Sequence, residues 1–164
     1  MQLATTSVLK ASCLCGKSAI TLYGLPIRSH YCHCTICQTL HSAPYALVAV
    51  YLPANLTLPD DADDNFAQFS PKNGLNVYRC HHCGVSICAY VENYKVWAVY
   101  VGAGITHGGE RIRPKDVPEF EGVMHMFYGE RQRDVKYVLY ADFTDMKGWH
   151  SEMDWITRDE PGNQ

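Results

Sequence analysis

Basic residues are scarce and scattered in this chain of 164 residues, where 14 Lys and Arg stand against 17 Asp and Glu for a formal charge of −3. Nucleic-acid binders draw much of their affinity from clustered Lys and Arg that track phosphates. No such stripe occurs, which argues against DNA or RNA as a partner. Long apolar runs are missing too. No stretch approaches the ~18 consecutive apolar residues of a membrane-spanning helix, and the longest, near Val96–Ile105, is broken by Gly102 and Gly104. The opening MQLATTSVLK lacks the positive start and apolar run of a secretory signal. The cytoplasm is therefore the expected compartment. Neither HExxH nor the deaminase order HxE…PCxxC is present, which sets aside those two zinc-enzyme classes.

Apolar residues and cysteine are abundant. The chain is 47% hydrophobic and 12% aromatic, enough for a real core and too apolar for a disordered chain. No repeat and no linker divides it, so one domain over residues 1–164 is expected, with a polar tail fraying after Trp155. Alternating or compact apolar segments recur at Ser18–Tyr23, Ala46–Leu52, Phe66–Phe69, Leu75–Arg79, Ile87–Val91, Lys95–Val101, Val123–Tyr128 and Tyr137–Phe143. Their Tyr, Val and Phe content, punctuated by Gly, Pro, Asn and Asp, predicts an all-β fold. Cys32–His41 predicts the opening of a short helix, and Arg111–Phe120 a loop.

Eight cysteines are many for a cytoplasmic protein. An even count permits four disulfides, but the spacings are too tight: Cys13 is separated from Cys15 by one residue, and three cysteines crowd into Cys32–Cys37. Such clusters in a reducing compartment point to metal. Cys13-Leu14-Cys15-Gly16 and Cys80-His81-His82-Cys83-Gly84 each end on glycine, which accepts the positive φ that a metal knuckle requires. Four thiolates favour zinc or iron–sulfur, and the spacing lacks the ferredoxin patterns, so Cys13, Cys15, Cys80 and Cys83 are read as one structural zinc site. His81 and His82 are read as loop residues and Cys88 as a buried, inert thiol.

The second cluster is His30-Tyr31-Cys32-His33-Cys34-Thr35-Ile36-Cys37. Three thiolates, Cys32, Cys34 and Cys37, can fill three corners of a zinc tetrahedron and leave the fourth to water or substrate, as catalytic zinc sites do. Two alternatives stay open: closure of that corner by His30, His33, His41 or Cys88, and a metal-free reactive-thiol cluster. A three-thiolate zinc is a weak Lewis acid but suits a soft incoming thiolate. His33 and His30 are the nearest candidates to move a proton. His107, after Gly102-Ala103-Gly104, and Tyr45, Tyr78, Tyr90 and Tyr128 are further candidates to line a pocket.

With both clusters in view, the chain resembles the glutathione-dependent formaldehyde-activating enzyme family, also called the CENP-V/GFA domain family. The matching elements are S-C-L-C-G (Ser12–Gly16), Y-C-H-C-T-I-C (Tyr31–Cys37), Y-R-C-H-H-C-G (Tyr78–Gly84) and M-F-Y-G-E-R (Met126–Arg131). The resemblance implies an Mss4-like fold of twisted antiparallel sheets with zinc knuckles. It implies two Zn2+ sites, with Cys13, Cys15, Cys80 and Cys83 structural and Cys32, Cys34 and Cys37 on the substrate side. It implies a carbon–sulfur lyase acting on a small-molecule thiol adduct, glutathione being the first candidate; homo-oligomerisation is left open. The other reading is a non-catalytic zinc-stabilised interaction module. Arg28, Lys72, Arg111, Arg113, Lys115 and Arg131 are the cations available to an anionic thiol.

Overall fold

Period-two patterning becomes strands at nearly every place it occurs. The computed structural model describes residues 6–132; the strand expected at Tyr137–Phe143 and the tail after Trp155 lie outside them. In chain order the strands are β1 (Val8–Ser12), β2 (Ala19–Tyr23), β3 (Arg28–Cys32), β4 (Ala46–Tyr51), β5 (Leu56–Thr57), β6 (Phe66–Lys72), β7 (Leu75–Cys80), β8 (Ser86–Val91), β9 (Val96–Tyr100), β10 (Ile105–His107), β11 (Glu110–Ile112) and β12 (His125–Met126). The short helix α1 (Thr35–His41) follows β3, and one helical turn, α2 (Ala62–Asn65), precedes β6.

The strands form a five-stranded sheet, β11-β10-β1-β2-β5, and a seven-stranded sheet, β12-β3-β4-β9-β8-β7-β6. All pairings are antiparallel except β12 with β3. Leu9, Ala11, Ile20 and Leu22 of the small sheet pack with Ala49, Tyr51, Cys88 and Val99 of the large one, which defines the main core between the sheets. Successive strand residues face opposite sides, so Val48, Tyr100, Ala89 and Val77 project from the far face of the large sheet. There they form a second cluster with Cys32, Cys37 and Ala46. The large sheet thus has one face committed to the core and one that carries cysteines.

The Val123–Tyr128 segment forms only the two-residue β12. Phe127 turns left-handed (φ 55°) and a 3-10 turn follows at Tyr128–Glu130, which ends the ladder. Within the segment read as a loop, Ile112 closes β11 and is buried, as are Val117 and Phe120 between successive 3-10 turns.

Glycine matters most at the two knuckles. Gly16 (φ 76°) and Gly84 (φ 74°) adopt the left-handed conformation, and a Cβ at either would touch nothing within 4 Å. The substitution Gly84→Ala therefore isolates the backbone cost, expected at about 1 kcal/mol and read as a lowered denaturation midpoint of the full chain. An unchanged midpoint contradicts the assignment.

Candidate metal centres

The first cluster forms where two strand ends meet. Cys13 and Cys15 lie just past β1, Cys80 ends β7, and Cys83 sits in the turn before β8. Their four sulfurs lie within 4.8 Å of one another, with Cys13 Sγ 3.4 Å from Cys15 Sγ and Cys15 Sγ 3.7 Å from Cys80 Sγ. The knuckles are alike. Gly16 N–H donates to Cys13 O at 3.2 Å and Gly84 N–H to Cys80 O at 3.0 Å. Backbone N–H groups of Ser18 and Cys83 also point at Cys13 Sγ and Cys80 Sγ, at 3.3 and 3.5 Å. A tetrahedron of Zn–S bonds has sulfur–sulfur edges of about 3.8 Å, so these four residues fit a zinc ion.

The second cluster joins β3 to α1. Cys32 ends the strand, Cys34 is the N-cap of the helix and accepts from Cys37 N–H at 3.3 Å, and Cys37 faces inward from the first turn. Cys32 Sγ lies 3.5 Å from Cys34 Sγ. Hydrogen bonds from the Cys32 and Cys37 thiols, with backbone N–H groups of Cys37 and Ile36, hold Cys34 well below the usual thiol range. The same sharing pushes Cys32 and Cys37 up. All three sulfurs lie within 4.8 Å of one another, and among the described residues no fourth His, Cys, Asp or Glu ligand atom joins them. Three corners fit a metal, and no described residue supplies the fourth. Cys88 is buried on the core face, where desolvation pushes its thiol up.

A strap from residues 127–132 secures the helix that bears Cys34 and Cys37. Glu130 accepts from Thr35 N–H at 2.7 Å, and the Gln38 side-chain amide donates to the carbonyls of His33 and, at 2.8 Å, Glu130. Arg131 stacks 4.0 Å from the Tyr128 ring centroid and donates to Tyr128 O at 3.2 Å. Pattern reading had no means to foresee Glu130 and Gln38 here, since their partners lie more than 90 residues away in sequence.

The histidines divide by face. His33 is fully buried, its Nε2 lies 2.8 Å from His125 Nδ1, and Tyr45 and Tyr128 pack on its ring. Burial and, secondly, Arg131 lower its pKa to about 4; burial and His33 do the same for His125. His30, two residues before Cys32, shares its side of β3 and stands opposite Val48. It is buried with Nδ1 lacking a hydrogen-bond partner, and desolvation lowers its pKa to about 4. His41, at the end of α1, packs edge-on to Tyr100 at 4.3 Å, and its Nε2 is likewise buried without a partner. Tyr100 stands opposite Val48 on the other side. Its hydroxyl is pushed up by burial and by the nearby Cys37 and Cys32 sulfurs.

The other candidates are spread out. His81 and His82 are exposed in the first knuckle. His107 is at the end of β10 in the small sheet, away from both clusters. Tyr78 and Tyr90 pack on Trp97. Arg113 pairs with Asp116.

Fold and clusters together define a mainly-β protein with one four-cysteine and one three-cysteine centre suited to zinc. The family model for the glutathione-dependent formaldehyde-activating enzyme matches residues 8–128, a span that includes all eight cysteines, and the chain belongs to that family. It is a zinc-associated family of glutathione-related enzymes. A solved protein of Rhodobacter sphaeroides is similar in fold, with a TM-score of 0.51 at 20% identity over 65% of this chain and 93% of that one. No curated protein gives a significant match. Among the described residues no helix is long and apolar enough to cross a membrane.

The contact between His33 and His125 gives a test independent of metal. His125→Phe keeps a ring of similar shape but leaves a buried His33 nitrogen unpaired, a loss of about 1–3 kcal/mol in denaturant unfolding. Wild-type stability would show that the pair contributes nothing.

Proposed function

We propose that this chain is a zinc-dependent carbon–sulfur lyase, or thiol-adduct enzyme, acting on a glutathione conjugate or a related small thiol adduct in the cytoplasm. The observation that carries this reading is the difference between the clusters. Four sulfurs surround one point, whereas three surround the other with no fourth protein ligand among the described residues. The first set suits a structural ion and the second an ion with an exchangeable position. An interaction module stabilised by two closed sites has no use for an exchangeable position, which favours the enzyme.

Cys32, Cys34 and Cys37 would hold the second zinc ion, which when bound supplies a soft electrophilic corner that favours the thiolate form of a substrate. The remaining groups come from the chain. Formation of the adduct makes a bond between sulfur and the aldehyde carbon, and the carbonyl oxygen gains a proton; cleavage runs the same changes in reverse. His30 Nδ1, His33 Nδ1 and His41 Nε2, buried ring nitrogens without a hydrogen-bond partner, are the groups that would hydrogen-bond that oxygen. His33 is held by His125 beneath the cysteine loop. Glu130 and Gln38 fix α1, so that Cys34 and Cys37 keep their places relative to Cys32. Phe127 and Leu40 pack against the buried cluster that contains Cys32 and Cys37.

Cys34→Ser is expected to lose one of two zinc equivalents and more than about 100-fold in turnover, with the unfolding midpoint close to wild type. Cys13→Ser is expected to lose the other equivalent and to lower the midpoint. Elemental analysis, formation and breakdown of S-hydroxymethylglutathione, and thermal unfolding together read the result. Loss of both metals and of the fold in Cys34→Ser would refute the division of roles.

A further inference from the structure

The large sheet is wider than the small sheet that covers its core face. One row of that face runs Tyr51, Trp97, Tyr90, Asn76 across β4, β9, β8 and β7. Tyr51 is fully buried, whereas Trp97, Tyr90 and Asn76 are half-buried, so the cover ends along this row. Trp97 stands between two tyrosines. Its ring centroid is 5.0 Å from that of Tyr90 and 5.3 Å from that of Tyr78, at interplanar angles of 54° and 56°. Strands two apart in a sheet are separated by about 10 Å, so Tyr78 on β7 and Trp97 on β9 meet only by leaning toward each other across β8. The result is a half-exposed strip of three rings at close spacing.

Carboxylates stand at both ends of the strip. Burial, then the charges of Cys88 and Asp63, push the Tyr78 hydroxyl up, which places Asp63 beside it. At the other end Glu92 follows Tyr90 by two residues and is held by Asn76, whose side-chain amide donates to Glu92 Oε1 at 2.8 Å. Ser70 Oγ donates in turn to Asn76 Oδ1. Asp60, Asp61 and Asp64 lie in and beside α2 with Asp63. Among the described residues none of these five carboxylates forms an ion pair, not even Glu92 with Lys95 of the same turn. A cation within about 6 Å of a ring centroid is attracted by the negative face of the ring. At the centroid spacings found here, one cation over Trp97 comes within about that distance of all three rings. A primary ammonium holds its water strongly, whereas a quaternary ammonium group is weakly hydrated and turns methyl groups to the rings.

We propose that Trp97, Tyr78 and Tyr90, with Asp63 and Glu92 at the two ends, bind a small-molecule quaternary ammonium ion. The strip is short, bounded by α2 at one end and by the turn that carries Glu92 at the other, which suits one free cation better than an extended chain. It lies on the opposite face of the large sheet from Cys32 and Cys37. The inference therefore goes beyond the lyase reading and stands whether or not that reading holds.

Choline and its neutral isostere 3,3-dimethylbutanol, in which carbon replaces the ammonium nitrogen, separate charge from shape. In an NMR titration of the zinc-loaded full chain, choline should shift the Trp97 indole N–H and the isostere should leave it in place. Tyr90→Leu should weaken choline about fivefold, while Tyr90→Phe, which keeps the ring, should stay within about twofold of wild type. The paired surface change Asp63→Asn with Glu92→Gln should weaken choline several-fold without altering zinc content, and it decides the matter if Tyr90→Leu does not fold. Equal shifts with both probes, no shift with choline up to about 50 mM, or wild-type affinity in the paired variant overturns the proposal. A trimethyllysine peptide that binds about tenfold more tightly than choline overturns the assignment to a free small molecule.

Discussion

Four sulfurs brought within a few ångströms of one point are the constraint from which the rest of this molecule follows. Cys15 and Cys80 are 65 residues apart, and joining them pins the end of the small sheet's β1 to the end of the large sheet's β7. Thiolates at such separations repel unless a cation lies among them, so the join holds best when the metal is there. The two positive-φ glycines serve the same end. Each lets the chain turn sharply enough to aim backbone N–H groups at sulfur, which spreads the negative charge of the cluster.

Strand alternation then separates stability from chemistry. On one side of the large sheet, Ala49, Tyr51, Cys88 and Val99 belong to the core against the small sheet. On the other, Cys32, Val48 and Tyr100 face α1 and the histidines. A substitution on the second face can change the site while leaving the packed side untouched. That division also accounts for where the unpartnered polar atoms lie. His30 Nδ1 and His41 Nε2 are buried on the face that lacks a second sheet.

Much of this was legible in the sequence because its signals are short-ranged. The spacing of Cys13, Cys15, Cys80 and Cys83 marked two knuckles, and the period-two runs at Ala46–Leu52 and Ile87–Val91 marked central strands. β1 and β3 escaped notice. Val8–Ser12 alternates weakly through Lys10 and Ala11, and Arg28–Cys32 carries Arg, Ser and His at positions where strand patterning expects apolar residues. His33 and His30 look equivalent in sequence, and only the ladder shows that His30 shares a side with Cys32 while His33 reaches across to His125. The register shift between β7 and β8 offered no signal at all: it comes from an extra residue in β8, and a bulge leaves little trace in composition. The strap from Glu130 to Thr35 was equally hidden, since it is a contact between segments remote in sequence.

The central claim is that one zinc ion is saturated by four cysteines while a second has three and can accept a thiol. Zinc-edge X-ray absorption of the reduced, fully loaded chain, recorded before and after addition of glutathione, tests it most directly. The account predicts that the mean sulfur number per zinc rises on addition, as the three-sulfur ion exchanges a light ligand for sulfur and the other stays unchanged. Sulfur coordination identical in both spectra, or no second zinc ion to observe, would contradict it.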